Sequence, residues 1–202
     1  MKLDDIKNYN YQGIARGIVE DLNNNINGRV ALNDMLQSTH VLYIIKNLLE
    51  DKCKTVLEIG TLWGGALLTM MQTEYKSKFV SVDMFEGFYP ELLGEGNGDQ
   101  NFGINTIELV DENIKNNNPY QHEYDLIKGS SHDTKVINYV KENYPKIDLL
   151  FIDGDHTKKG VLQDWEDYSD LVTKGGIVVF DDYWIGEYVR AAWRKEDDDG
   201  VK

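Results

Sequence analysis

Two short acidic strings, Asp153-Gly154-Asp155-His156 and Asp181-Asp182, each follow a mostly apolar run, Ile147 to Ile152 and Gly176 to Phe180. Carboxylates leaving the ends of two buried strands can converge on one hard divalent cation, Mg²⁺ or Mn²⁺, which prefers oxygen ligands. An Asp at a strand end also commonly just begins a turn, so either string alone is weak. In an open α/β sheet, however, ligands gather beyond the carboxyl ends of the strands, where both strings fall.

A third string, Val56-Leu57-Glu58-Ile59-Gly60-Thr61-Leu62-Trp63-Gly64-Gly65, runs from an apolar strand through a glycine-bearing turn into the helical stretch Ala66 to Gln72. Glycines there let the backbone pass close to a nucleotide-like ligand. Asp83 ends the next apolar strand, Phe79 to Val82. An acid at about that spacing, roughly 20 residues on, can hydrogen-bond ribose hydroxyls. A nicotinamide site calls for G-x-G-x-x-G to seat a pyrophosphate on a helix N-terminus. Here the pattern is Glu58-x-Gly60-x-x-x-Gly64, with an acid inside the approach to the turn. That suits a nucleoside cofactor with positive charge and no phosphate, and S-adenosylmethionine is such a cofactor.

With these strings in place the chain resembles the class I S-adenosylmethionine-dependent methyltransferases, in particular the metal-dependent O-methyltransferases related to macrocin and catechol O-methyltransferases. The likeness runs from about Gln37 to Trp184 and rests on VLEIGTLWGG, FVSVD, LIKGSSHD, LLFIDGDH and GGIVVFDDYW, in that order. It implies that Glu58, Gly60, Thr61 and Gly64 back the methionine part of the cofactor, that Asp83 binds its ribose, and that Ser131 and His132 hold its adenine. It also implies that Asp153, Asp181 and Asp182 bind a divalent metal, with Asp153 bordering the cofactor as well. His156 falls where these enzymes place a catalytic base, and Asp155 is its rival.

Two departures stand out. Asp182 occupies a position where catechol- and caffeoyl-type members carry Asn, which adds a negative charge and brings the chain nearer the sugar-modifying branch. After a helix expected at Glu187 to Arg194, the sequence lacks the C-terminal β-hairpin that the resemblance implies. A sheet edge left open in this way calls for cover from a partner, a homo-oligomer being one form of it.

The resemblance thus implies an enzyme that transfers a methyl group to a hydroxyl of a small molecule, a sugar or diol-type acceptor. The missing hairpin motivates a second class, a non-catalytic S-adenosylmethionine-binding or assembly protein, against which the clustered metal and base positions weigh. A nicotinamide-dependent dehydrogenase is a third, weakened by the turn chemistry.

A chain of 202 residues with 41% apolar content can bury one good core, and no linker divides it. The organisation expected is a helical cap over residues 1–50 and a cofactor-binding core over 51–202. A formal net charge of −14 disfavours nucleic acid and anionic membrane as partners, because phosphate contacts need clustered Lys and Arg. Cys53 has no second cysteine to pair with, and it falls in a polar turn before the first strand. The N-terminus carries no basic and apolar leader pattern, so the cytoplasm is the expected compartment.

Ile14, Ile18 and Leu22 recur at helical spacing and predict a first amphipathic helix broken by the Asn-rich loop Asn23 to Gly28. Ser38 is expected to cap a helix striped with Val41, Leu42, Ile45, Leu48 and Leu49. Strands are then expected near Thr55 to Ile59, Lys78 to Val82, Tyr124 to Lys128, Asp148 to Ile152 and Gly176 to Phe180, with helices between. Alternation of largely apolar strands with helices predicts an α/β, doubly wound, Rossmann-like and mostly parallel sheet behind N-terminal helices. Phe85 to Gly103 breaks the rhythm and reads as a lid or substrate wall or, equally, a plain loop. His40 and His122 are expected on the surface or at caps, and Trp165 and Tyr168 in the core.

Overall fold

The computed structural model describes residues 9–30, 36–85, 105–155, 157–181 and 192–194. Apolar runs form the strands Thr55–Ile59 (β1), Lys78–Asp83 (β2), Ile147–Ile152 (β4) and Val172–Phe180 (β5), and the mixed Glu123–Lys128 (β3) lies at the sheet's edge, all five parallel. With Ala192–Arg194 (β6) they make a sheet in the order β3-β2-β1-β4-β5-β6. The chain winds outward from β1 through β2 to β3, then crosses back to β4 and β5. Strand order reverses between β1 and β4, and in such sheets the ligand crevice lies beyond the carboxyl ends of the strands at that point.

β6 corrects one expectation. Residues 187–191 lie outside the described residues, but 192–194 are a strand running antiparallel to β5, not the end of a helix. Ala and Arg are good helix formers, but local propensity is a weak prior, and the free side of β5 offers a row of backbone groups that a short strand satisfies. The edge expected to stand open at β5 is therefore paired.

The helices are Tyr9–Asn25 (α1), Leu36–Leu49 (α2), Gly65–Met70 (α3), Ile107–Asn117 (α4), Thr134–Asn143 (α5) and Lys158–Tyr168 (α6). Side chains alternate across the pleat, so β1 sends Val56 to one face and Leu57 and Ile59 to the other. The first face buries Val56, Phe79 and Phe151 against Leu22, Leu42, Ile45, Leu67 and Ile114 of α1 to α4. The second buries Leu57, Val80, Leu150 and Val178 against Val136, Val140 and Tyr168 of α5 and α6. Tyr168 is core as expected, and Trp165 packs partly buried against Phe180.

Two helix expectations shift. The buried stripe of α1 is Ala15, Val19 and Leu22, continued by Ile26 just past its end, and Ile14 is 51% exposed. That phase is set by packing on α2 and α3, which sequence periodicity alone does not contain. α2 begins at Leu36, so Ser38 lies inside its first turn instead of capping it. Elsewhere the caps are local chemistry: Thr106, Asp133 and Thr157 each accept a backbone N–H at the start of α4, α5 and α6. Among the described residues no helix is long and apolar enough to cross a membrane.

Candidate functional site

The turn after β1 is built around Gly60. Its φ of +87° is one that side chains resist, and a Cβ there would collide with the backbone of Asp153 and Gly154. The turn is tied to both neighbouring strands, Gly60 N–H donating to Val82 O at 2.9 Å and Asp153 N–H to Ile59 O at 2.8 Å. Gly60 and Asp153 therefore meet at the switch point. Gly64, also left-handed at φ +84°, starts α3.

Glu58 lies fully buried beneath this turn. Its Oε2 accepts from the Ser81 hydroxyl at 2.7 Å, Ser81 is in turn bonded to Thr61, and Oε1 has no partner among the described residues. Burial pushes the Glu58 carboxyl up to about 8, against the pull of Ser81 and with help from the charges of Asp153 and Asp83. A positive ligand in the crevice would favour its ionised form.

Asp83 ends β2 beside the same turn, and its carboxylate clasps it. Oδ2 accepts from Thr61 N–H at 2.7 Å and Leu62 N–H at 3.1 Å, while Oδ1 accepts from Phe85 N–H at 2.7 Å and the Asn105 amide at 3.3 Å. Asn105, which also donates to Leu62 O at 3.0 Å, was not singled out from sequence. It follows residues 86–104, which lie outside the described residues, and no periodicity marks it.

Ser131 and His132 sit in the turn after β3. The Tyr168 hydroxyl, from α6, donates to Ser131 O at 2.7 Å. The same helix sets Asp164 Oδ1 3.4 Å and Asp167 Oδ2 3.7 Å from His132 Nδ1. Burial drives the Asp164 carboxyl above the usual range, while the Ser131 hydroxyl and the His132 ring draw it back. Asp164 too escaped sequence reading, because an Asp inside an amphipathic helix ordinarily reads as a solvated face.

Asp153 and Asp181 stand side by side. Ile152 of β4 pairs with Phe180 of β5, and Asp181 N–H donates to Ile152 O at 3.0 Å. Asp182 and His156 lie outside the described residues, among which no three His, Cys, Asp or Glu residues are placed to hold a metal. The described part of the proposed metal site is thus two neighbouring carboxylates. Asp155 turns to α6: its Oδ1 accepts from Thr157 N–H at 2.8 Å, and its carboxyl lies where a Cβ on Gly160 would be.

Two residues away from the crevice are structural. Cys53 is buried, not in an open turn, and burial raises its thiol to about 12, so it carries no thiolate at neutral pH. His122 is buried too, against expectation: Nδ1 accepts from Ser77 N–H at 3.2 Å, and Nε2 lies 2.9 Å from Thr73 O. It fastens the loop before β2 to the end of α3.

A family model described as a methyltransferase domain matches residues 57–183. An uncharacterized protein of Acanthamoeba polyphaga mimivirus is 35% identical over 144 residues, which make up 71% of this chain and 58% of that protein. The chain therefore spans little more than half the length of that relative. Among solved structures, a calicheamicin methyltransferase aligns with a TM-score of 0.52 at 20% identity, covering 85% of this chain and 76% of its own. An O-methyltransferase from Bacillus cereus in complex with SAH aligns with a TM-score of 0.52 at 15% identity, covering 89% and 66%. At such identities the likeness is one of fold.

Proposed function

The chain belongs to the methyltransferase-domain family, and on that premise we propose that it uses S-adenosylmethionine to methylate a hydroxyl of a small molecule, a sugar or diol-type acceptor, with the help of a divalent cation. The observation that carries this reading is the Gly60 turn, where the backbone is bare of side chain, backed by a buried Glu58 with one unsatisfied oxygen and flanked by Asp83 and Asp153. Asp83 and Asp153 beside a bare turn, with a buried Glu58 that a nearby cation would ionise, suit a nucleoside bearing a sulfonium and an ammonium better than a pyrophosphate.

When bound, the cofactor supplies an activated methyl group and the cation makes the acceptor hydroxyl more acidic. Asp153 and Asp181, with Asp182, are the residues that would hold the cation. His156 or Asp155, just past the first of them, would take the hydroxyl proton. Asp83 and the turn it clasps orient the donor, and holding donor and acceptor at attack distance is the larger share of catalysis in such a transfer.

Calorimetric titration with S-adenosylhomocysteine and with NAD tests the cofactor. The expected result is binding of the first alone, and equal or tighter NAD binding overturns it. Transfer of label from S-adenosylmethionine to an extract of the native host, with and without a chelator, would then supply the acceptor. Turnover unchanged by chelation removes the cation from the reaction.

A further inference from the structure

The turn after Gly60 is held in a shape that its own sequence resists. Leu62 has a φ of +50°, left-handed backbone that a non-glycine residue keeps only where its surroundings enforce it. Asp83 accepts from the N–H groups of Thr61 and Leu62, and the Asn105 amide donates to Leu62 O at 3.0 Å. The next carbonyl, Trp63 O, accepts from Asn113 Nδ2 at 3.0 Å, and Asn113 is only 2% exposed in the middle of α4.

An Asn on the buried face of an amphipathic helix, beside Val110 and Ile114, has to find partners there. Besides Trp63 O, the Asn113 Nδ2 donates to Asn27 O at 3.0 Å, and its Oδ1 accepts from Asn27 N–H at 2.8 Å. Asn27 lies in the loop that follows α1. One side chain thus engages both backbone groups of an N-terminal residue and one of the turn. Two close approaches accompany it. Gly28 rests on the Trp63 indole and Gly65 lies against the backbone of Val30, so that a Cβ on either glycine would collide. Asn23, in the last turn of α1, closes the loop by accepting from Val30 N–H at 2.8 Å.

We propose that Asn113 is a positioning residue that makes the N-terminal helix part of the donor site: it fastens the loop 26–30 to Trp63, so that seating of α1 and binding of S-adenosylmethionine support each other. Asp83 and Asn105 grip one half of the turn and Asn113 the other. Together they keep Leu62 left-handed before the donor arrives, and a preformed turn loses less freedom on binding. Release of the N-terminal brace returns that cost to the donor. Linkage requires the reverse effect by the same factor, bound donor holding the loop down. The proposal rests on the cofactor reading above.

Calorimetry with S-adenosylhomocysteine on the full chain, well below the melting temperature, compares the wild type with Asn113→Ala, Gly28→Ala and Asp148→Ala. Gly28→Ala wedges the exposed loop away from Trp63 and leaves α4 intact, so it answers even where Asn113→Ala fails to fold. Asp148→Ala is the control for lost stability alone, because Asp148 ties β1, β4 and β5 together away from the turn. Both brace variants should bind at least about 5-fold more weakly than the wild type, the low end of coupling between sites, with the control nearly unchanged. Hydrogen exchange at the Asn27 and Val30 amides reads the reverse effect. In the wild type, saturating S-adenosylhomocysteine should slow both by about 5-fold or more under conditions where the sheet amides stay protected. A folded brace variant with wild-type affinity overturns the proposal. So does an equal loss of affinity in Asp148→Ala, or exchange at Asn27 and Val30 that is indifferent to the ligand. A wild type that binds no S-adenosylhomocysteine overturns the cofactor reading and this inference with it.

Discussion

Glu58 is a residue whose ordinary chemistry the fold alters strongly. In the unfolded chain it ionises near 4.5, but under the Gly60 turn its carboxyl holds the proton up to about 8, chiefly because burial penalises the charge. The raised value fixes the sign of its linkage. Its contribution to stability is fully present below about pH 4.5 and is lost as pH rises through about 8. Glu58→Gln should therefore melt higher than the wild type at pH 8 to 9, with the difference closing toward pH 5; a gap independent of pH would contradict this. At the rim, Asp155 already serves the start of α6 through Thr157 N–H, which leaves His156 as our first choice of base. His156→Ala should lower turnover roughly 10²- to 10⁴-fold with cofactor affinity nearly unchanged. Asp155→Asn keeps an acceptor for Thr157, so a dead but equally stable Asp155→Asn enzyme would move the base to Asp155.

Among the elements, the sheet is fastened at the end opposite the crevice by Asp148, near the start of β4. Its Oδ2 accepts from the backbone of Lys54 at 2.8 Å and of Thr55 at 3.1 Å, and its Oδ1 from the Thr173 hydroxyl at 2.8 Å, joining β1, β4 and β5. Asp148→Ala should cost about 2 to 3 kcal/mol in urea unfolding, from several hydrogen bonds worth about 1 kcal/mol each, and change cofactor affinity little. A comparable loss of affinity would mean that the two ends of the sheet are coupled. Four of the parallel strands were legible in the sequence because their apolar runs are bounded by Gly and Asp, the mixed edge strand β3 through the alternation with helices, and the Gly60 turn and Asp83 because their spacing has a mechanism. What was not legible depends on contacts between distant segments: the phase of α1, the strand at Ala192–Arg194, buried His122 and the approach of Asp164 to His132. Each is settled by a neighbour far away in the chain, and a local pattern carries no trace of it.

For the whole molecule, a net charge of −14 makes general attraction for any cation the competing explanation of a metal effect. The two contributions separate by site and by valence. Asp153 and Asp181 end adjacent parallel strands, so their like charges are brought together by the register of β4 on β5, and a divalent ion bound between them stabilises only the folded chain. At about 100 times its dissociation constant, such an ion adds roughly 2.7 kcal/mol, which for a chain of this size is a rise in melting temperature of roughly 5 to 10 °C. Mg²⁺ or Mn²⁺ should produce that rise, whereas NaCl at matched ionic strength, which only screens the diffuse charge, should produce a small fraction of it. Asp181→Asn should melt higher than the wild type without the ion, by relief of repulsion, and should lose most of the divalent increment. If instead the increment is the same in Asp181→Asn, or NaCl reproduces it, the ion is answering to the charge of the surface, and the pair at the ends of β4 and β5 does not bind it.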